Sequence, residues 1–326
     1  MGLDLEAALR CLLSYPLDLV RLGARWTDME PSFGAFDPTE LDRHLELVER
    51  SGKGVILSLG AVKNFGYPEF FVPAHRLPRP LPEGSLVGPQ SHPELLAAAV
   101  EFVSRVVARY HRHPGVLAWQ VEHEAVDPLG LEHSWRLTPE FVEREVQAVR
   151  AADPTRPVLI SGFLAASLPV RLHQRWRTRG QGDSLALAER VADIIGVDYY
   201  PRHALAGAGG LGVYLDGARP SLPRTWRSDD RFGPARRVMI TEGQAEPWEM
   251  VTSPPSPAGR VMYSCPPERV IANYNLCLSA AREAGIALDA YLFWGAEYWL
   301  RRAREGDRSY LEAFETVVGS PRSDPT

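Results

Sequence analysis

An α/β fold of the (β/α)8 type is what this sequence predicts, on three observations. Short apolar runs rich in β-branched residues alternate with longer amphipathic segments, the pattern of βα units around a parallel sheet. Four of those runs end in residues able to do chemistry, and in such a barrel the active site is built where the strands end. The length, 326 residues, suits one barrel of about 200 to 400 residues, although two domains of ordinary size would fit it equally.

The elements follow in order. Residues 3–13 (LDLEAALRCLL) have helical period. Strands are expected over 17–24 (LDLVRLGA), 55–60 (VILSLG), 116–120 (VLAWQ), 158–161 (VLIS), 193–198 (DIIGVD), 238–241 (VMIT) and 290–294 (AYLFW). A helix is expected over 38–51, with Asp37 as its N-cap, Pro38 in its first turn and Gly52 closing it. The same period recurs over 94–110, 139–152, 184–191, 267–284 and 309–318. Connections 61–93, 199–236 and 243–266 are long and follow strand ends, which puts them on the active face, and the stretch 203–220 is expected to be disordered or a mobile lid. Residues 1–318 are expected to form one domain and 319–326 (GSPRSDPT) an unstructured tail.

Composition narrows the function. At 45% apolar, 24% charged and net charge −5 the chain reads as a soluble globular protein. Its basic residues are dispersed, which predicts no nucleic-acid partner. No apolar run reaches the ~20 residues of a membrane span, and the acidic start is unlike a signal peptide, so the expected address is cytoplasmic. Cys11, Cys265 and Cys277 lack CxxC spacing and are expected to be buried free thiols. Glu122, His123 and Glu124, with His111 and His113 upstream, offer metal ligands but no HExxH spacing, so no metal is expected. The glycine-rich GAGGLG run does not join a strand directly to a helix and is no nucleotide fingerprint.

The strongest feature is a pair of carboxylates. Glu124 stands at the end of a strand that reads VLAWQVEHE and Glu242 closes VMITE; an isolated ionised carboxylate at such a place costs several kcal/mol unless it is paired or hydrogen-bonded. The stretch WQVEHE, the stretch ITEGQAEPW, the early segment with EPSFGAFD, and the segments DIIGVDYYPR and YLFWGAEYW resemble clan A retaining glycoside hydrolases, especially families 5 and 42. The resemblance implies a TIM-barrel fold and a retaining β-glycosidase acting on an oligosaccharide or glycoside without a cofactor. It implies Glu124 as general acid and base, Glu242 as nucleophile, Arg21 beside Glu242, Tyr200 as a donor to it, and Trp294 as a platform for the sugar. Gln244 within the second segment is implied as a substrate contact, with Trp26, Trp119 and Trp248 as further contacts. His123 stands where the clan has an Asn that donates to the sugar, and its charge would add a pH dependence near 6 to 7. That departure motivates a second reading, a weak or inactive carbohydrate-binding barrel, and a transglycosylase using the same residues is a third.

Counted against the clan, Glu124 and Glu242 end the third and sixth recognisable strands rather than the fourth and seventh, so the first barrel strand is expected to be missing. Exposed barrel edges would then favour a homo-oligomer, and a version extended upstream by ~10–20 residues would be more stable.

Overall fold

The computed structural model describes residues 3–66, 68–127, 135–165, 168, 171–172, 175–176, 182–208, 211–216, 222–227, 236–247 and 264–319. Its long strands are β1 (Leu19–Gly23), β2 (Gly54–Ser58), β3 (Val116–His123), β4 (Val158–Phe163), β5 (Ile194–Tyr199), β6 (Arg237–Gln244) and β7 (Leu288–Trp294). They belong to one seven-stranded sheet in sequence order. Among the described residues nothing upstream of β1 adds a strand to it; that segment is the helix Leu5–Leu13. By packing, the chain divides into one unit of residues 18–163 and 172–197 and another of 1–17, 164–171 and 198–326.

The first unit carries β1 to β4, paired in parallel, with helices Thr39–Arg50, Pro93–Tyr110, Pro139–Ala152 and Ser184–Val191 between strands. Their ends follow local chemistry. The Thr138 hydroxyl accepts from Phe141 N and the Asp183 carboxylate from Ala186 N, each satisfying an orphan donor of a first turn. Asp37 does the same for Thr39 N, with the helix starting one residue later than expected and Pro38 as its cap residue. The β-branched runs are spent on the interior: Val55 and Ile56 are buried with Leu57, as are Val103, Val106 and Val107 of the helix Pro93–Tyr110. Connection 61–93 is no open loop. Lys63 and Phe70 form an antiparallel bridge, residues 61–64 are buried, and Leu86–Val87 pairs with Arg136–Leu137.

The second unit holds β6 and β7 in parallel, with helices Pro267–Ala284, Ala296–Arg304 and Ser309–Val318. Its core gathers Tyr15, Val270, Trp299, Tyr310 and Phe314, and the Trp299 indole lies over Phe314 with centroids 5.0 Å apart. The stretch expected as a lid contains an antiparallel hairpin, Arg202–Ala208 with Leu211–Asp216. The tail beyond Gly319 lies outside the described residues. Cys265 and Cys277 are buried as expected, whereas Cys11 is exposed because it lies on the outer face of its helix. No helix among the described residues is long and apolar enough to cross a membrane.

Candidate active site

In the first unit the site grows from a break in β3. Gln120 pairs with Leu159 but His123 pairs with Ser161, so three residues of β3 run opposite two of β4. Such a one-residue bulge re-aims side chains. It coincides with left-handed backbone at Glu122, φ +54, and at Glu124, φ +42, and it ends the alternation that would have put the two carboxylates on one side. Glu122 instead turns its carboxylate onto the connection after β2, accepting Val62 N at 3.0 Å and Lys63 N at 2.6 Å. Burial raises its pKa to about 7 in spite of those donors. Its neighbour Glu145, on the helix Pro139–Ala152, is raised well above the ordinary value by burial and by the Glu122 charge. Two buried carboxyl groups side by side do not both ionise, so the pair holds a proton that free carboxylates would have lost.

His123 lies 3.2 Å from the Ser161 hydroxyl through Nδ1, and Gln120 donates to the same oxygen at 3.2 Å. Burial, then the charges of Lys63 and Arg21, hold its pKa well below 6.5. The imidazole is therefore neutral across pH 6 to 7, which corrects the expectation that it titrates there. Arg21 stacks over the Phe65 ring at 4.1 Å. Trp26 and Trp119 are corrections too. Both are fully buried, Trp26 stacked on Phe102 and donating to Glu30 at 2.6 Å, Trp119 donating to Asp153 at 3.0 Å. Neither has a ring face left for a sugar. His111 Nδ1 meets the Ala108 carbonyl in the last turn of Pro93–Tyr110, and His113 Nδ1 accepts Gly115 N just beyond it.

The second unit repeats the device. Ile240 pairs with Tyr291 and Gly243 with Phe293, again three residues against two, with Thr241 and Glu242 in the bulge. A Cβ on Gly243 would stand 2.3 Å from the Tyr291 hydroxyl, so any larger residue there displaces that ring. Glu242 is buried, and Tyr200 donates its hydroxyl to Glu242 Oε2 at 2.7 Å. Thr241 donates to Asp198 at 2.7 Å, while Tyr199 faces the other way, its hydroxyl pushed up by burial beside Cys277. Gln244 is committed to backbone, its amide exchanging two hydrogen bonds with Arg202 N and O. Trp294, half-buried at the end of β7, donates its indole N–H to Glu246 Oε1 at 3.0 Å. Burial, then the charges of Glu297 and Glu242, push Glu246 up to about 8 against that donor. Trp248 lies outside the described residues.

Comparison with known proteins bears on both units. Residues 5–133, which include Glu124, match the glycoside hydrolase 42 family model, described as beta-galactosidase. The beta-galactosidase BgaB of Geobacillus sp. strain Y412MC61 is 29% identical over 117 residues, 33% of this chain and 17% of that protein. Among solved structures, GH5_18 from Streptomyces cattleya in complex with GlcNAc superposes with TM-score 0.57 at 16% identity, over 98% of this chain and 76% of its own. The exo-beta-1,4-mannosidase Op5Man5 from Opitutaceae bacterium strain TAV5 gives 0.53 at 19%, over 89% and 47%. The chain has the TIM-barrel fold of the clan A glycoside hydrolases. It spans about a sixth of the length of the curated relatives it matches and 47% of the mannosidase.

Among the described residues the sequence reading missed three: Lys63, Glu145 and Glu246. Glu145 had a signal. It falls on the stripe Phe141, Val142, Glu145, Val146, Val149, all buried, where an acid needs a buried partner. Lys63 and Glu246 sit in connections whose path no periodicity reveals.

Proposed function

We propose that this chain is a retaining β-glycosidase acting on a β-galactoside or β-mannoside of an oligosaccharide or aryl glycoside. The observation that carries the reading is Glu242, a buried carboxylate in a strand-end bulge with the Tyr200 hydroxyl on its Oε2 at 2.7 Å. A donor so placed favours the ionised carboxylate a nucleophile must be. The match of residues 5–133 to the beta-galactosidase family supports Glu124 as its counterpart.

In the first step Glu242 attacks the anomeric carbon, the glycosidic C–O bond breaks, and the Glu124 proton passes to the departing oxygen. In the second, Glu124 takes a proton from water, which displaces Glu242 and releases the sugar. Double displacement calls for the two carboxyl groups about 5 to 5.5 Å apart. Neutral His123 presents its imidazole where the clan has Asn. A panel of aryl β-glycosides (galacto, manno, gluco, xylo, fuco) tests the reading with wild type, Glu124→Ala and Glu242→Ala. Turnover of at least one sugar with retention of configuration, lost in Glu242→Ala, is the expected result. Sugar binding without turnover in all three proteins would leave a carbohydrate-binding barrel instead, and an inverted product would exclude the covalent step.

A further inference from the structure

Three non-glycine residues among those described have positive φ: Glu69 at +72, Glu122 at +54 and Glu124 at +42. All three bind one side chain or its backbone. The Lys63 ammonium donates to the Glu124 carbonyl at 3.3 Å and pairs with Glu69 Oε2 at 3.4 Å. Its backbone N–H donates to Glu122 Oε2 at 2.6 Å. Lys63 is 1% exposed and, with Lys53, one of only two lysines in a chain otherwise supplied with arginine.

We propose that Lys63 is the positioning residue of the candidate acid/base, its ammonium and its N–H together holding the end of β3 in the left-handed turn that orients the Glu124 carboxyl. The proposal rests on the glycosidase reading. A left-handed non-glycine residue is strained and persists only where its surroundings over-determine it; here two such residues, two positions apart, share one partner. A buried ammonium is itself expensive unless paired, and Glu69 supplies the countercharge. The connection is fixed from behind as well: Asn64 N donates to the Glu69 carbonyl at 2.8 Å, and any Cβ on Gly60 would stand 1.9 Å from the Lys63 carbonyl. A guanidinium is larger and planar and does not replace a compact ammonium in such a space.

The test separates positioning from general damage. An acid catalyst matters for a poor leaving group and hardly for one that departs unaided. Lys63→Met, Lys63→Arg and wild type are assayed on phenyl and on 2,4-dinitrophenyl β-glycosides of the sugar that wild type prefers. For Lys63→Met the expected kcat/KM loss is about hundredfold on the phenyl substrate, at the low end of what positioned proton transfer contributes, and under about threefold on the dinitrophenyl substrate. Lys63→Arg should show the same split if Lys63→Met fails to fold. Equal losses on the two substrates, or none, would overturn the proposal. A thermal-unfolding cycle supplies a readout independent of turnover. Glycine adopts positive φ freely, so Lys63→Met should lower the Tm less in a Glu122→Gly, Glu124→Gly background than in wild type. Equal drops would show that Lys63 does not hold the turn. A wild type that hydrolyses no glycoside would sink the glycosidase reading, and the cycle would still decide whether Lys63 holds this backbone.

Discussion

Replacing Tyr200 by Phe removes one oxygen atom and leaves the ring in place. The lost interaction is the hydroxyl on Glu242 Oε2 at 2.7 Å, the length of a charge-assisted O–H···O⁻ bond. Both residues are about 95% buried, so water has little access to restore the missing donor. Hydrogen bonds to charged groups contribute about 1.5–3 kcal/mol, which at about 1.4 kcal/mol per factor of ten is a loss of about 10- to 150-fold. The loss should fall on kcat, because the donor supports the carboxylate that forms the covalent bond rather than the sugar itself. Steady-state kinetics on the preferred aryl glycoside, with urea unfolding of the same samples to verify folding, reads both quantities. A folded Tyr200→Phe protein with kcat within threefold of wild type would refute the assignment of Glu242 and Tyr200 as one catalytic unit.

Glu30→Gln should cost about 3 kcal/mol at pH 7, from a carboxyl taken from 4.5 to about 2 at 1.36 kcal/mol per pH unit; because the folded pKa is the lower one, that stability is present above pH 4.5 and fades as pH falls toward 2, so urea unfolding at pH 7 and pH 3 should show the gap closing. Glu145→Gln has the opposite sign. Its folded pKa is raised, so wild type loses stability as pH rises above the ordinary carboxylate range, and the variant should gain Tm over wild type at pH 8.5 relative to pH 5; an unchanged difference counts against the protonated pair. Trp294 fluorescence should titrate with a midpoint near 8 through Glu246, and the step should vanish in Glu246→Gln; a step surviving there belongs to another group. His123→Asn should leave the ratio of variant to wild-type kcat/KM constant from pH 5.5 to 7.5, since the imidazole stays neutral; a tenfold drift would show that it titrates.

How far the sequence could be read depended on where each signal is stored. β-Branched runs and cap residues are local, and Ser184–Val191 or Pro139–Ala152 could be bounded from their own residues because Asp183 and Thr138 stop them chemically. The hairpin Arg202–Asp216 was hidden because its glycine and alanine content carries no alternation of apolar and polar residues. Tryptophan misled in both directions. An indole has an apolar body and one donor wherever it sits, so Trp26 and Trp119 in the core read like Trp294 at a strand end. The bulges at Glu122 and Glu242 were invisible for another reason: an extra residue in a strand shows only against its partner's register, which lies 38 residues on for His123 and Ser161.

The buried acids show why role assignment needs more than position. Glu30, Glu122, Asp127 and Glu246 are all between 1% and 5% exposed, yet their carboxyl groups are not shifted alike. Glu30 differs from the other three in having a charged guanidinium among its donors. Glu30 receives Arg76 through two nitrogens, His75, Trp26 and Gly34 N, and falls to about 2. Glu122, with backbone N–H groups of Ala61, Val62 and Lys63, stands at about 7. Asp127, with Ser184 N, is at about 7 as well, and Glu246, with one indole, is at about 8. Several of these donors come from segments distant in sequence, 46 residues away for Arg76, 59 for Lys63 and 48 for Trp294. A glutamate at the end of an apolar strand thus announces that chemistry can happen there; whether it serves as acid, base or structural anchor is decided by connections that the strand itself does not encode.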